Sequence, residues 1–177
     1  SHILLKLSQQ FKEFKALKRA TSSLEVCKSV FAYYSAVELF AKINWVDGDV
    51  NDIPSLENAM EECEQVLHCA AVVSFHAVDA DLLKKVNIEG TANVMNVALE
   101  LGIKKVGYIS SIATLGRNST DGMVDEECHF KATKLESNYA LSKYFAEQEV
   151  WRASQEGLDV VIVNPSVILG PGDWNKG

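Results

Sequence analysis

The sequence has 177 residues, of which 47% are hydrophobic and 23% charged, and its net charge is −7. These values fit one globular domain and, with no Lys- or Arg-rich run, argue against nucleic acid or an anionic membrane as the main partner. No apolar run reaches the length of a membrane span, and the four cysteines form no C-x-x-C pair, which is typical of reduced thiols in a cytoplasmic protein.

The first half of the chain predicts alternating helices and strands. Apolar residues at helical spacing predict a helix over 3–11, and the run 14–17 predicts a short strand. One or two helices are expected within 23–40, followed by a strand over 43–46. Asp52 and Pro54 open a helix of about ten residues, because proline is tolerated in a first turn. The apolar run 65–68 predicts the next strand.

The second half continues the alternation. A long helix is expected over 82–100, ended by Gly102, and a buried strand over 106–109 runs into Ser110 and Ser111. The polar stretch 117–137 predicts a loop beside a site. A helix over 139–156, ended by Gly157, and a last strand over 159–164 follow.

Strands that are continuous apolar runs and alternate with helices indicate an α/β fold, a Rossmann-like doubly wound parallel sheet with helices on both faces. Ligands bind beyond the carboxyl ends of the strands in such sheets. Five residues fall at predicted strand ends and are candidates for a site: Arg19, Asp49, Ala70, Ser111 and Pro165.

Tyr139 and Lys143 lie four residues apart, so they share one face of the predicted helix. An ammonium near a phenol stabilises the phenolate, and such a phenol can act as general acid or base in a carbonyl/alcohol interconversion. The four histidines show no metal-ligand spacing with cysteines or carboxylates, and we assign no metal.

Six motifs in this order resemble the extended short-chain dehydrogenase/reductase family. They are Gly48-Asp-Val50 with Asp52, His68-Cys-Ala-Ala71, Asn87-Ile-Glu-Gly90-Thr-Ala-Asn93, Tyr108-Ile-Ser-Ser111-Ile-Ala-Thr-Leu-Gly116, Tyr139-Ala-Leu-Ser-Lys143, and Asn164-Pro165 leading to Leu169-Gly-Pro-Gly172. The segment 70–75 is similar to the dihydroflavonol-reductase and 3β-hydroxysteroid-dehydrogenase branch. The family contains NAD(P)-dependent epimerases, dehydratases and reductases.

The resemblance implies catalytic roles for three residues. Tyr139 matches the family's catalytic tyrosine. Lys143 matches the lysine that is its partner and that also bonds the nicotinamide ribose. Counting back from Gly116, Ser111 matches the serine that hydrogen-bonds the substrate oxygen. Ser110 is then expected to satisfy backbone groups at the strand end.

The resemblance also implies a cofactor site. Asp49 and Val50 resemble the pair that holds the adenine, Ala70 and Ala71 the turn beside the cofactor, and Pro165 the segment that lines the nicotinamide. Asn87 matches a structural position.

Arg19 follows the strand predicted over 14–17, which corresponds to the second strand of the family's fold. After that strand, an acidic residue would bond the 2′-hydroxyl of NAD, whereas an arginine accommodates the 2′-phosphate of NADP. The residue present therefore favours NADP over NAD. A solvent-exposed basic loop is the alternative interpretation.

The sequence contains no Gly-x-x-Gly-x-x-Gly turn, which in the family cradles the pyrophosphate. We expect residues 1–177 to be one Rossmann-like domain, truncated at both ends. It is expected to begin just after the glycine turn and to stop before the substrate domain. Three functions stay open: an NADP-dependent reductase or dehydrogenase, an NAD-dependent nucleotide-sugar epimerase or dehydratase, and a non-catalytic dinucleotide-binding protein. The resemblance to the family also implies a possible homodimer that packs through the 139–156 helix and the 82–100 helix.

Overall fold

The computed structural model of the protein describes residues 1–116, 123–131 and 136–171. Its chain forms two compact units, Ser1–Asp49 with Ile168–Gly177, and Val50–Val167. The candidate residues divide between them: Arg19 and Asp49 belong to the first unit, and the others to the second.

The first unit contains a two-stranded parallel sheet and three helices. Its elements are α1 (His2–Gln10), β1 (Lys15–Lys18), α2 (Glu25–Tyr33), α3 (Val37–Phe40) and β2 (Asn44–Asp47). Lys15 pairs with Asn44 and Lys18 with Asp47, so both strands end at one edge. Phe31 is fully buried at the centre of a small core with Leu5 and Ile43.

The second unit is built on a three-stranded parallel sheet in the order β3-β4-β5. Its strands and helices are α4 (Ile53–Met60), β3 (Gln65–His68), α5 (Ala80–Leu83), α6 (Gly90–Glu100), β4 (Lys105–Ile109), α7 (Asn138–Gln155) and β5 (Asp159–Val163). His68 pairs with Tyr108, and Tyr108 with Ile162. The three strands therefore present their carboxyl ends at the same edge.

One face of β4 packs on α6 and α7. Val106 and Tyr108 point to this core, because alternate residues of a strand share a face. The buried face of α7 carries small residues, Ala146 and Ala153, beside Val150, which lets the helix approach the sheet closely. The predicted α/β class with parallel strands is confirmed.

The long helix predicted over 82–100 is interrupted. A wide π-helical segment over Lys84–Glu89 separates α5 from α6. Asn87 lies in this segment, and its buried side chain makes two hydrogen bonds with the backbone of Val72. The Val72 amide donates to Asn87 Oδ1 at 2.8 Å, and Asn87 Nδ2 donates to the Val72 carbonyl at 3.0 Å. Such π segments are often found at functional sites. The periodicity of apolar residues does not distinguish this π segment from the α-helical turns on either side of it.

The other predicted elements are confirmed to within one or two residues. Gly102 and Gly157 end α6 and α7 in the left-handed region, with φ of 66° and 106°. The predicted loop over 117–137 lies partly outside the described residues, as does Gly172. None of the described helices is long and apolar enough to cross a membrane.

Candidate active site

Lys143 is the most buried charged side chain of the candidate site, with 2% exposure. Its Nζ donates to Tyr108 Oη at 2.7 Å and to the carbonyl of Ile109 at 2.8 Å. Nζ also lies 4.3 Å from the centre of the Tyr108 ring, a cation–π distance. Burial lowers the Lys143 pKa from 10.5 to about 8, while the charge of Glu147 acts in the opposite direction. The ammonium is thus held at the end of β4.

Tyr139 lies in the first turn of α7. Ser137 precedes the helix, and its Oγ accepts a hydrogen bond from the amide of Ala140 at 3.1 Å, an N-cap that sets where the helix begins. The Tyr139 ring is half-buried and makes an edge-to-face contact with Phe75, with 5.6 Å between ring centres. Phe75 is itself 74% exposed, so an apolar surface adjoins the phenol.

Ser111 follows β4 and caps a short 3₁₀ turn over Ile112–Thr114, where its Oγ accepts from the amide of Ala113 at 3.1 Å. Ser110 behaves differently from our expectation. Its hydroxyl donates to the Glu147 carboxylate at 2.5 Å, and not to backbone groups. The two neighbouring serines therefore have separate partners, and Ser111 is the one left half-buried at the strand edge.

Ala70 and Ala71 follow β3 and are exposed. The next residue, Val72, is tied to Asn87, which also donates to Ser142 Oγ at 2.9 Å. The π segment, α7 and the turn after β3 are thereby joined, in keeping with the structural role expected of Asn87. Two small exposed residues at a fixed strand end suit the close approach of a dinucleotide cofactor.

Pro165 and Val50 contribute in different ways. Pro165 lies two residues after β5, and its carbonyl accepts from the amide of Ile112 at 3.1 Å, which connects it to the turn after Ser111. The Val50 side chain is buried, and a Cβ on Gly90 would lie 2.6 Å from its Cγ2. The glycine at position 90 is therefore required by this contact, and Val50 can offer a ligand little beyond its backbone.

Arg19 and Asp49 lie at the carboxyl ends of the two strands of the first unit. Arg19 is exposed directly after β1, and Asp49 is partly exposed two residues after β2. Before them, Lys18 and Asp47 form an ion pair across the two strands. The structure thus places both predicted residues at one strand edge of their own unit.

Two residues that support the site were missed by sequence reasoning in these roles. Tyr108 holds Lys143. Burial raises the pKa of the Tyr108 hydroxyl against the opposing effect of a hydrogen bond with Thr91, and the hydroxyl stays protonated at neutral pH. Glu147 accepts hydrogen bonds from Ser110, Thr114 and Asn164. A signal was present: Tyr108 alternates with Ser110 on one strand face, and Glu147 lies one helical turn after Lys143.

His68 is a buried histidine at the end of β3. Its Nε2 lies 2.9 Å from Thr91 Oγ1, and its ring packs 5.5 Å from that of Tyr108. Burial, and secondarily the charge of Lys143, lowers its pKa from 6.5 to about 3. Among the residues described, no cluster of three His, Cys, Asp or Glu side chains could hold a metal.

We predict that His68 makes the fold sensitive to acid. Between pH 3 and pH 6.5 the unfolded chain binds a proton at His68 that the folded chain does not, so stability falls as the pH falls through this window. When the pH is lowered from about 7 to about 5, the free energy of unfolding measured in urea should fall by roughly 2 kcal/mol more in wild type than in His68→Gln. His76→Gln is the exposed control, and parallel curves for wild type and His68→Gln would contradict the prediction.

The fold and these side chains define the class. A parallel α/β sheet with a serine at one strand end, beside a helix that carries Tyr139 and Lys143, is the arrangement of the extended short-chain dehydrogenases/reductases. Within that class, the chain belongs to the 3-beta hydroxysteroid dehydrogenase/isomerase family, whose model matches residues 18–176.

Relatives and a solved structure agree with this assignment. A Synechocystis sp. protein, provisionally named as a dihydroflavonol 4-reductase, is 35% identical over 98% of this chain and 47% of its own length. UDP-glucose 4-epimerase of Vibrio cholerae is 33% identical over 71% of this chain and 39% of its own length. The crystal structure of gox2253 superimposes with a TM-score of 0.74 at 33% identity, covering 92% of this chain and 46% of that one. The chain spans less than half the length of these proteins.

Proposed function

We propose that this chain carries the proton-transfer residues of an NAD(P)-dependent oxidoreductase that interconverts a carbonyl and an alcohol, with NADP preferred. The observation that carries the proposal is the buried Lys143 ammonium, fixed by Tyr108 and Ile109 one helical turn after Tyr139. A fixed positive charge beside a phenol is the electrostatic requirement for proton transfer at a carbonyl oxygen.

The family resemblance, together with this geometry, supports the following roles for the chain's own residues. When bound, the nicotinamide supplies the hydride that reaches the carbonyl carbon. Tyr139 gives its proton to the carbonyl oxygen, Ser111 donates a hydrogen bond to the same oxygen, and Lys143 stabilises the phenolate left behind. Ala70, Ala71 and Pro165 would line the cofactor at the strand ends. In the oxidative direction Tyr139 accepts the proton back.

The preference for NADP rests on Arg19, an exposed guanidinium after β1 with no acidic residue before Glu25. A guanidinium pairs with a phosphate through two parallel hydrogen bonds, which a ribose hydroxyl cannot reproduce. Asp49 would contact the adenine from the next strand end.

A second candidate function is a nucleotide-sugar epimerase or dehydratase that retains NAD. The similarity to UDP-glucose 4-epimerase favours it, and such an enzyme uses the same kind of site. Two sequence features speak against it. Position 19 is arginine rather than an acidic residue, and Ile112-Ala113 stands where the dehydratases carry an Asp-Glu pair. The exposed Phe75 beside Tyr139 also suits an apolar substrate better than a sugar.

Cofactor titration tests this proposal. The protein at its natural length is titrated with NADPH and NADH by nicotinamide fluorescence, in wild type and in Arg19→Ser, with Lys12→Ser as an exposed control. We expect NADPH to bind more tightly, and Arg19→Ser to weaken NADPH by roughly tenfold or more while leaving NADH unchanged. Equal or tighter NADH binding by wild type would refute the NADP preference, and binding of neither would favour a non-catalytic protein.

A further inference from the structure

Four side-chain donors converge on the carboxylate of Glu147. Oε2 accepts from Ser110 Oγ at 2.5 Å, from Thr114 Oγ1 at 2.9 Å and from Asn164 Nδ2 at 3.1 Å. Oε1 accepts from Trp151 Nε1 at 3.4 Å. An ionised carboxylate can only accept hydrogen bonds, so a set of donors is the environment that suits its charged form.

These donors belong to separate parts of the strand edge. Ser110 follows β4, Thr114 lies in the 3₁₀ turn after Ser111, and Asn164 follows β5. Two of them also lie close to the backbone carbonyl of Ser111, Thr114 Oγ1 at 2.9 Å and Asn164 Nδ2 at 3.3 Å. The single hydrogen of the Thr114 hydroxyl is shared between that carbonyl and Glu147. The position of Ser111 is therefore set by groups that Glu147 holds.

The same carboxylate lies on α7 one turn after Lys143. Because Glu147 bonds the residues after β4 and Lys143 bonds Ile109 within β4, the helix is tied to this strand end at two successive turns. The first of these turns carries the Lys143 ammonium. The second carries Glu147, whose charge acts to raise the Lys143 pKa, which burial lowers.

We propose that Glu147 is a positioning residue of the reductase site: it fixes Ser111 relative to α7 and supplies a negative charge one helical turn from the Lys143 ammonium. This inference rests on the proposed function. Glu147 acts through its neighbours, and no contact of its own with substrate or cofactor is required.

The titratable groups around Lys143 come from several elements. Cys69, after β3, also acts to raise the Lys143 pKa, and burial opposes both it and Glu147. His68 on β3 and Tyr108 on β4 face the ammonium without carrying a charge at neutral pH, because burial lowers the pKa of the first and raises that of the second. Beside Glu147, a cavity of about 450 Å³ is also lined by Glu126 and His129.

The first test needs no substrate. Lysine side chains labelled with ¹³C are titrated by NMR in the protein at its natural length, and the Lys143 signal is identified by its loss in Lys143→Met. We expect Glu147→Gln, which keeps the shape but loses the charge, to move the Lys143 midpoint to lower pH. Glu149→Gln is the matched control, since Glu149 lies on the same helix and pairs with Arg152 at 2.8 Å. A Lys143 midpoint that stays at its wild-type pH in Glu147→Gln would overturn the electrostatic role.

The second test uses turnover. Glu147→Gln should lower kcat on the order of tenfold to a hundredfold, as expected for a displaced reacting group, and should move the alkaline limb of the kcat/KM profile to lower pH. Glu147→Asp should restore that limb towards its wild-type position. An unchanged alkaline limb and kcat in Glu147→Gln would refute the inference.

Ser110→Ala keeps the test decisive if Glu147→Gln fails to fold. It removes one hydrogen bond and no charge, so we expect a lower kcat with the Lys143 midpoint unchanged, compared with Ser154→Ala elsewhere on α7. Wild-type kcat in Ser110→Ala would contradict the positioning role. If wild type itself showed no turnover, the proposed function would fail, while the NMR titration would still decide whether Glu147 maintains the charge of Lys143.

Discussion

Replacing Tyr139 by phenylalanine should reduce carbonyl reduction by a factor on the order of 10² to 10⁴, the usual contribution of a general acid. The change removes the hydroxyl that gives its proton to the carbonyl oxygen and keeps the ring that packs against Phe75. Cofactor affinity, measured by nicotinamide fluorescence, should change little. Turnover is followed by the loss of nicotinamide absorbance with a panel of apolar aldehydes and ketones.

Tyr144→Phe is the matched control for this experiment. Tyr144 lies on the same helix, and its ring stacks on Phe130 with 4.4 Å between the ring centres. Loss of its hydroxyl should leave turnover near the wild-type rate. Full turnover by Tyr139→Phe on a substrate that wild type reduces would refute the assignment of Tyr139 as the proton donor.

Lys143→Met should have the second large effect. The variant keeps an unbranched side chain of similar length but removes the ammonium that stabilises the phenolate. We expect turnover at neutral pH to fall by a factor of about 10² or more, in the range of lost electrostatic stabilisation. In wild type, kcat/KM should decline above about pH 8, because Lys143 loses its proton with a pKa of about 8.

The same variant should alter the pH dependence of stability. Between pH 8 and pH 10.5 the unfolded chain holds the Lys143 proton that the folded chain has released, so wild-type stability rises with pH across this window. Lys143→Met removes that rise, whereas Lys104→Met, at an exposed ion pair with Glu64, retains it. Urea unfolding at a series of pH values measures the difference. A rise of wild-type size in Lys143→Met would show that Lys143 is not the group responsible.

Much of the fold could be predicted because its signals are local. Continuous apolar runs such as 106–109 indicated buried parallel strands, and Gly102 and Gly157 indicated where α6 and α7 end. The family was also recognisable from its ordered motifs. The π segment at Lys84–Glu89 was not predictable in this way, because apolar periodicity does not report the long-range bonds of its Asn87 to Val72 and Ser142.

The candidate site shows the same division. Tyr139 and Lys143 could be proposed from the sequence because residues four apart share a helix face and because the pair falls within six ordered motifs. The partners that hold the pair come from other strands. The strand face of Tyr108 and the helix face of Glu147 can be inferred from periodicity, but their partners cannot. The bonds from Lys143 to Tyr108 and from Ser110 to Glu147 join residues more than 30 positions apart, and only the folded structure brings them together.

Transfer of deuterium from a nicotinamide labelled at carbon 4 tests the central proposal most directly. The protein at its natural length is incubated with labelled NADPH and the carbonyl panel, and the products are analysed by mass spectrometry. We expect deuterium on the alcohol carbon with wild type and its near-absence with Tyr139→Phe at equal cofactor occupancy. Bound NADPH without label transfer to any carbonyl, or equal transfer by Tyr139→Phe, would contradict a reductase site built on Tyr139 and Lys143.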